Sequence, residues 1–294
     1  MKNWLKAFRL RTLPLAFSCI ITGSFLHYHE KFSWLIFCLT LSTTLMLQIL
    51  SNLANDYGDF VKGTDNEDRV GPVRSIQSGS ITKKAMFRAI IVCSILSLAN
   101  GIILLGTSFN WQFSSSVFVL FVLGLSGIFA AIKYTVGKFA LAYHALGDIF
   151  VFLFFGIIGV MGSSYLQTGI FLTTDIHLAI TIGMLSTAVL NMNNMRDHIN
   201  DANQNKITLV VKLGFENAKI YHTLLITIAL INVIIFFTNQ RALFFLSLIA
   251  FIPLVSNLFK VWRSKEPKKL DPELKKIALS TFVFSLLNAI ISSN

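Results

Sequence analysis

The hydrophobic pattern of the chain is a series of long apolar runs separated by shorter polar segments. Runs of this kind match the roughly 17–25 residues that an α-helix needs to cross the hydrocarbon core of a bilayer. They predict nine transmembrane helices, at residues 12–28, 32–54, 86–109, 114–134, 145–166, 176–195, 220–238, 242–261 and 277–292. The predicted fold is therefore an all-α polytopic membrane protein, with about nine helices around a central cavity and a single integral-membrane domain over residues 1–294.

The placement of charge orients these predicted helices. Charged residues make up only 13% of the 294 residues, whereas soluble domains carry about 25%. All but two of the 25 basic residues, Lys31 and Arg241, fall in segments on one side of the predicted membrane. The positive-inside rule predicts that this side is cytoplasmic, with the N-terminus inside, the C-terminus outside and the protein in the cytoplasmic (inner) cell membrane. This rule and contact with anionic lipid account for the net charge of +11, so no nucleic-acid partner is expected.

Acidic and amide side chains recur at helical spacing where two of the apolar runs end. Residues four apart share one face of a helix, so each set forms a polar stripe. The first motif follows the second run and the second motif follows the sixth; they consist of Asn55, Asp56 and Asp59, and of Asn193, Asp197 and Asp201. An even number of crossings separates the motifs, so both are expected to open to the cytoplasm and to face each other across one cavity.

Carboxylates so close together repel one another and are costly near hydrocarbon unless a cation lies between them. Two facing acidic stripes at a membrane surface therefore indicate Mg²⁺ and, through Mg²⁺, a diphosphate. The alternative is that these residues are ordinary solvated acids at helix ends.

Basic residues accompany the acids in the same segments. The segment after the second run also contains Asp65 and Asp68, and the bases of the two segments that are assigned to diphosphate binding are Lys62, Arg69, Arg74, Arg196 and Lys206. Such a mixture suits a site where carboxylates hold Mg²⁺ and cations hold the phosphate oxygens that the metal leaves free.

A further acid, Asp148, lies inside the fifth predicted helix near its cytoplasmic end. An intramembrane carboxylate is a candidate functional residue, so Asp148 is assigned to substrate binding, with snorkelling to the interface or helix pairing as the alternative. Arg9 and Arg11 precede the first run and are interpreted as topology signals.

The two motifs resemble those of a known family. NDYGDFVKGTDNEDRVGP at residues 55–72 and NNMRDHINDANQNKIT at residues 193–208 are similar to the UbiA superfamily of intramembrane aromatic prenyltransferases. RLRTLPLAF at residues 9–17 and LGDIFVFLFFG at residues 146–156 resemble the branch that uses 1,4-dihydroxy-2-naphthoate as acceptor.

The resemblance implies roles for these residues. Asp59, Asp197 and Asp201 would be catalytic, and the Mg²⁺ ligands would come from both motifs. Gly63 stands where many relatives have a third carboxylate, which makes Asp65 and Asp68 the natural substitutes. Asn205 stands before Lys206 where relatives often have glycine, which raises the question of how the turn forms there.

The resemblance also implies a reaction. An allylic polyprenyl diphosphate would lose its diphosphate, and the resulting carbocation would be attacked by 1,4-dihydroxy-2-naphthoate with loss of carbon dioxide, giving a demethylmenaquinone. Other members of the superfamily use 4-hydroxybenzoate, homogentisate or haem, and these acceptors remain alternatives. A cation or proton-coupled transporter is the alternative from another class, although transporters carry such acids nearer the bilayer midplane.

Overall fold

The computed structural model describes residues 2–66, 70–238 and 242–294, and the regular structure of these ranges is helical, with one isolated bridge between His144 and Ile207. The helices are α1 (Lys2–Phe8), α2 (Leu13–Phe25), α3 (Trp34–Val61), α4 (Lys83–Ser108), α5 (Ser115–Lys133), α6 (Gly147–Thr168), α7 (Ile176–Asn203), α8 (Leu209–Leu213), α9 (Phe215–Thr238), α10 (Ile252–Arg263) and α11 (Asp271–Ser293). A 3₁₀ stretch, Ala242–Phe251, leads into α10. The all-α prediction is confirmed for the described residues.

Eight helical segments of the described chain are long and apolar enough to cross a membrane. They correspond to the second to ninth predicted runs. The first run instead forms α2, which has only 13 residues, because the chain enters it through a 3₁₀ turn at Leu10–Thr12 and leaves the helix after Phe25. Nine of the 13 residues of α2 are buried and the other four are half-buried, so its apolar side chains pack mainly against other helices rather than against lipid.

Several helices begin at a hydroxyl side chain that caps the first turn. Ser33, Thr82 and Ser114 each accept a hydrogen bond from the backbone N–H three residues later, at the starts of α3, α4 and α5. Such caps satisfy donors that have no partner within the helix. In α4 the cap lies before the apolar run, which explains why this helix begins at Lys83 rather than near residue 86.

Two helices continue well past the end of their apolar runs. α3 extends to Val61 and α7 to Asn203, seven and eight residues beyond the predicted ends at residues 54 and 195. These polar last turns carry the first and second motifs. Both motifs are therefore on helices, where the four-residue spacing places their side chains on one face.

Close contact between small residues joins α6 to α7. A Cβ on Gly156 would lie 2.6 Å from the carbonyl oxygen of Ala179 and 2.8 Å from the Cα of Gly183. Membrane helices, which gain little from apolar burial against one another, associate through such close backbone packing. The middle of α6, Phe152–Met161, is π-helical, a distortion that often accompanies functional sites.

The α6–α7 contact generates a stability prediction. We expect Gly156→Ala to lower the melting temperature in detergent, because the added methyl overpacks a backbone contact at a cost of about 1–3 kcal/mol. Gly124→Ala is the matched control, since a Cβ there meets nothing within 4 Å and alanine is the better helix former. Equal melting temperatures for the two variants would show that this contact does not limit stability.

Candidate active site

A cavity of about 770 Å³ lies between the helices, with mostly apolar walls and a polar mouth. The walls include the π-helical segment of α6, with Phe154 and Phe155. The mouth is formed where the polar ends of α3 and α7 meet. The predicted site residues that line the cavity are Asn55, Asp59, Arg74, Asp148, Asn193, Arg196, Asp197 and Lys206.

The first motif presents two of its side chains to the cavity and one away from it. Asn55 and Asp59 line the mouth, and the Thr135 hydroxyl donates to the Asn55 side-chain oxygen over 3.2 Å. Thr135 approaches this closely because the helix has a glycine there: a Cβ on Gly58 would lie 2.6 Å from the Thr135 hydroxyl oxygen. Asp56 does not line the cavity.

Asp56 belongs instead to a buried cluster of charges beside the mouth. The Arg9 guanidinium donates to its carboxylate over 2.7 Å, and the Ser75 backbone N–H donates to the other oxygen over 3.3 Å. Arg74 Nε lies 3.6 Å from both Asp56 and Asp65. Burial, together with the charge of Arg9, lowers the pKa of Arg74 to about 10, so Arg74 remains a cation at neutral pH.

A tyrosine that the sequence analysis missed holds the other acid of the first motif. The Tyr143 hydroxyl donates to Asp59 over 2.8 Å and lies 2.6 Å from the Thr64 hydroxyl. Burial and the charge of Asp59 raise the pKa of Tyr143, so its hydroxyl keeps the proton that it donates. The Lys62 ammonium lies 3.7 Å from the centre of the Tyr143 ring, a cation–π contact that places Lys62 beside the mouth rather than in it.

The second motif is organised by Arg196. This guanidinium binds Asp197 with two hydrogen bonds of 2.7 and 2.8 Å, and it also donates to Asn193 over 2.9 Å. Its remaining terminal nitrogen binds Asp271 at the start of α11. Asp271 lines the cavity and is half-exposed, and it was not singled out from the sequence.

Lys206 connects the two motifs. Its ammonium lies 3.6 Å from Asp59 and 3.7 Å from Asp201. The preceding residue, Asn205, adopts a left-handed conformation with φ of 54°, which asparagine tolerates better than most residues. The asparagine therefore makes the turn before Lys206 without a glycine.

The oxygen donors at the mouth match the ligands that Mg²⁺ prefers, because carboxylates and carboxamides supply only hard oxygens. Lys206 already places a positive charge between Asp59 and Asp201, so the gap between the motifs favours a cation. Among the described residues, no three acidic, histidine or cysteine side chains form a cluster that could hold a metal ion. The acids are instead held by the protein's own cations, Arg196 and Lys206.

Gly63, which stands in place of a third carboxylate, has a conformational role. Its φ of 77° lies in the left-handed region, where the chain turns away after α3, so a side chain there would be strained. Asp65 is buried beside Arg74 and does not line the cavity. The other proposed substitute, Asp68, and the predicted phosphate ligand Arg69 lie outside the described residues.

Residues 16–285 match the model of the UbiA prenyltransferase family. The chain belongs to this family. Relatives named 1,4-dihydroxy-2-naphthoate octaprenyltransferase include those of Escherichia coli, 42% identical over 97% of this chain and 92% of the relative, and Haemophilus influenzae, 39% identical over 98% and 94%.

Solved structures of the UbiA family share its fold. A UbiA homolog from Archaeoglobus fulgidus bound to GPP and Mg²⁺ superposes with a TM-score of 0.70 at 16% identity, over 99% of this chain and all of that one. A UbiA homolog from Aeropyrum pernix K1 in its apo form superposes with a TM-score of 0.66 at 12% identity, over 94% and 97%. At sequence identities of 12% and 16%, the structural similarity shows a shared fold only.

The different surroundings of Asp56 and Asp59 generate a second prediction. Asp56→Asn should lower the melting temperature, because it removes the buried carboxylate that pairs with Arg9, whose side chain is 14% exposed, at a cost of up to about 3 kcal/mol. Asp59→Asn should lower the melting temperature less, because Lys206 keeps Asp201 as a charged partner, and it should abolish most prenyl transfer, because Asp59 lines the cavity.

These expectations are tested by measuring thermal unfolding in detergent and turnover for both variants and for Arg9→Gln. The measurements distinguish a structural role for Asp56 from a catalytic role for Asp59. Arg9→Gln should lower the melting temperature as Asp56→Asn does, and the double variant should fall little further, because both changes break one pair. A stable but inactive Asp56→Asn protein would contradict the assignment of Asp56 to a structural pair.

Proposed function

We propose that this protein transfers a polyprenyl chain from an allylic polyprenyl diphosphate to 1,4-dihydroxy-2-naphthoate, with release of carbon dioxide and formation of a demethylmenaquinone. The observation that carries this proposal is the 39–42% identity, over nearly the full length, to two relatives named for the naphthoate acceptor. The geometry agrees, since a polar mouth with acids and cations opens into a largely apolar cavity.

The polar mouth suits the diphosphate end of the donor. Arg74, Arg196 and Lys206 line it, and their N–H groups can bind phosphate oxygens by charge-assisted hydrogen bonds. Mg²⁺ held by Asn55, Asp59, Asn193, Asp197 and Asp201 would supply charge neutralisation of the leaving diphosphate. The A. fulgidus homolog bound to GPP and Mg²⁺ supports this part of the proposal.

The apolar interior suits the prenyl tail and the reacting carbons. As the allylic C–O bond breaks, its electron pair leaves with the diphosphate and a carbocation remains in the cavity. Leu120, Phe154 and Phe155 are among the residues that would shield this cation from water. The faces of the phenylalanine rings can stabilise it, because aromatic quadrupoles attract cations.

The orientation of the site is part of the proposal. Both motifs and the basic residues around them lie at the same ends of α3 and α7. By the positive-inside rule these ends face the cytoplasm, so the active site would open to the cytoplasmic side of the cell membrane. A cytoplasmic mouth would admit the polar acceptor from water while the tail of the donor remains in the bilayer.

The metal assignment generates a third prediction. Asp59→Ala, Asp197→Ala and Asp201→Ala should each lower turnover about 100-fold or more, since several kcal/mol of charge stabilisation is lost. EDTA should abolish the activity of the wild-type protein and added Mg²⁺ should restore it. Glu266→Ala is the matched control, because Glu266 is exposed and lies away from the cavity. Near-normal turnover in two of the three variants, or full activity of the wild-type protein in EDTA, would contradict the assignment of these acids as Mg²⁺ ligands.

The acceptor assignment generates a fourth prediction. Membranes containing the protein should convert 1,4-dihydroxy-2-naphthoate with release of carbon dioxide and leave 4-hydroxybenzoate unchanged, as judged by product mass. Arg74, which lines the mouth, would also bind the carboxylate of the naphthoate. Arg74→Lys should therefore raise the KM for the naphthoate about tenfold, because lysine cannot bind a carboxylate at two points as a guanidinium does. Prenylated 4-hydroxybenzoate that keeps its carboxylate would assign the protein to a different acceptor branch.

A further inference from the structure

Asp148 differs from the other acids of the cavity in its electrostatic surroundings. The acids that line the cavity are Asp59, Asp148, Asp197 and Asp271. Three of them have a lysine or arginine nitrogen within 3.6 Å. Asp148 is 5% exposed and forms no ion pair within the described ranges. Unlike the other three acids, Asp148 therefore does not pair with the cations at the mouth.

The hydrogen bonding of Asp148 leaves most of its acceptor capacity available. The Tyr221 hydroxyl donates to one carboxylate oxygen over 3.3 Å, which is longer than the 2.7–2.8 Å typical of hydroxyl donors. An ionised carboxylate has two oxygens with about four acceptor positions. A ligand hydroxyl in the cavity can therefore bind Asp148 without breaking a strong existing bond.

The surroundings of Asp148 select the class of ligand. A carboxylate repels the diphosphate and the carboxylate of an acceptor, so its partner must be an uncharged donor or a cation. Gly147 beside it packs against Tyr134, since a Cβ on Gly147 would lie 2.7 Å from the Tyr134 hydroxyl. Phe150 and Phe154, further along α6, also line the cavity. One polar acceptor beside aromatic rings suits a flat aromatic ligand that carries a hydroxyl group.

We propose that the Asp148 carboxylate accepts a hydrogen bond from a ring hydroxyl of the aromatic acceptor, and so orients the ring that attacks the allylic carbon. This inference rests on the proposed function and adds the residue that recognises the hydroxyl. The cations at the mouth bind the anionic groups of the two substrates, whereas Asp148 binds the acceptor's neutral edge. A hydrogen bond to a charged carboxylate also increases the electron density of the phenol, which favours attack by the ring.

The test compares substrates that differ in one hydroxyl. kcat/KM is measured for 1,4-dihydroxy-2-naphthoate and for its two analogues with either the 1- or the 4-hydroxyl methylated, using wild-type protein, Asp148→Asn and Asp148→Glu. Wild-type protein should prefer the parent over one analogue by roughly ten- to a hundredfold, the usual range for a hydrogen bond to a charged group. Asp148→Asn should lose most of this preference, and Asp148→Glu should keep part of it.

Two further readouts separate substrate recognition from a structural role. The KM for the polyprenyl diphosphate and the Mg²⁺ concentration that gives half-maximal rate should be unchanged in Asp148→Asn. Tyr221→Phe removes the neighbouring hydroxyl but keeps the Asp148 carboxylate, so it should retain the wild-type preference among the analogues. Full retention of the preference in Asp148→Asn, or a change confined to the diphosphate KM, would overturn the proposal.

The outcome for wild-type protein distinguishes this proposal from the proposed function. If wild-type protein prenylates another aromatic hydroxy acid and no naphthoate, the acceptor assignment fails, and the same methylation series on that acid decides the role of Asp148. If wild-type protein prenylates no aromatic acceptor at all, both proposals fail. If Asp148→Asn does not accumulate in the membrane, Asp148→Glu takes its place in the test. For Asp148→Glu, an unchanged preference among the analogues together with an unchanged KM for the acceptor would also count against the proposal.

Discussion

The site depends on charge balance among carboxylates that lie in a poorly hydrated part of the molecule. Asp56, Asp59, Asp197 and Asp201 are each at most 5% exposed, and an isolated charge in such surroundings is costly. Cations from several parts of the chain provide the balance. Those cations are Arg9 from before α2, Arg74 from after α3, Arg196 on α7 and Lys206 from after α7. Pairing with the acids therefore requires the segments that carry these cations to pack at the mouth of the cavity.

This balance also prepares the site for its substrates. The protein's own cations hold the acids in place, and in the proposed function the same cations would bind the oxygens of a diphosphate while Mg²⁺ binds the carboxylates. Single cations connect different parts of the site. Arg196 joins α7 to α11 through Asp271, and Lys206 joins the two motifs. The neutral Tyr143 hydroxyl also donates a hydrogen bond to Asp59, which further fixes the position of the first motif.

The rest of the fold meets the demands of a hydrocarbon environment. Backbone groups in lipid must be satisfied within the segment, which explains why the spans are helical. Attraction between such helices depends on close packing rather than on apolar burial, and the contact of Gly156 with α7 is an example. Outward-facing side chains such as Phe118 and Phe129 of α5 are exposed and apolar, as expected for a surface in contact with lipid.

The amino-acid sequence by itself determined the helical class, eight of the nine predicted spans and the two motifs, because hydropathy and four-residue spacing are local properties that need no knowledge of distant contacts. Only the tertiary structure decided which polar residues face the cavity. Asp56 and Asp59 are three residues apart with similar chemistry, yet one binds Arg9 and the other lines the mouth. Arg9, Tyr143 and Asp271 join the site from segments far away in sequence, and pairing at such separations leaves no periodic signal. These assignments depend on how the helices pack, since packing alone determines which charges meet in a medium that does not tolerate unpaired ones.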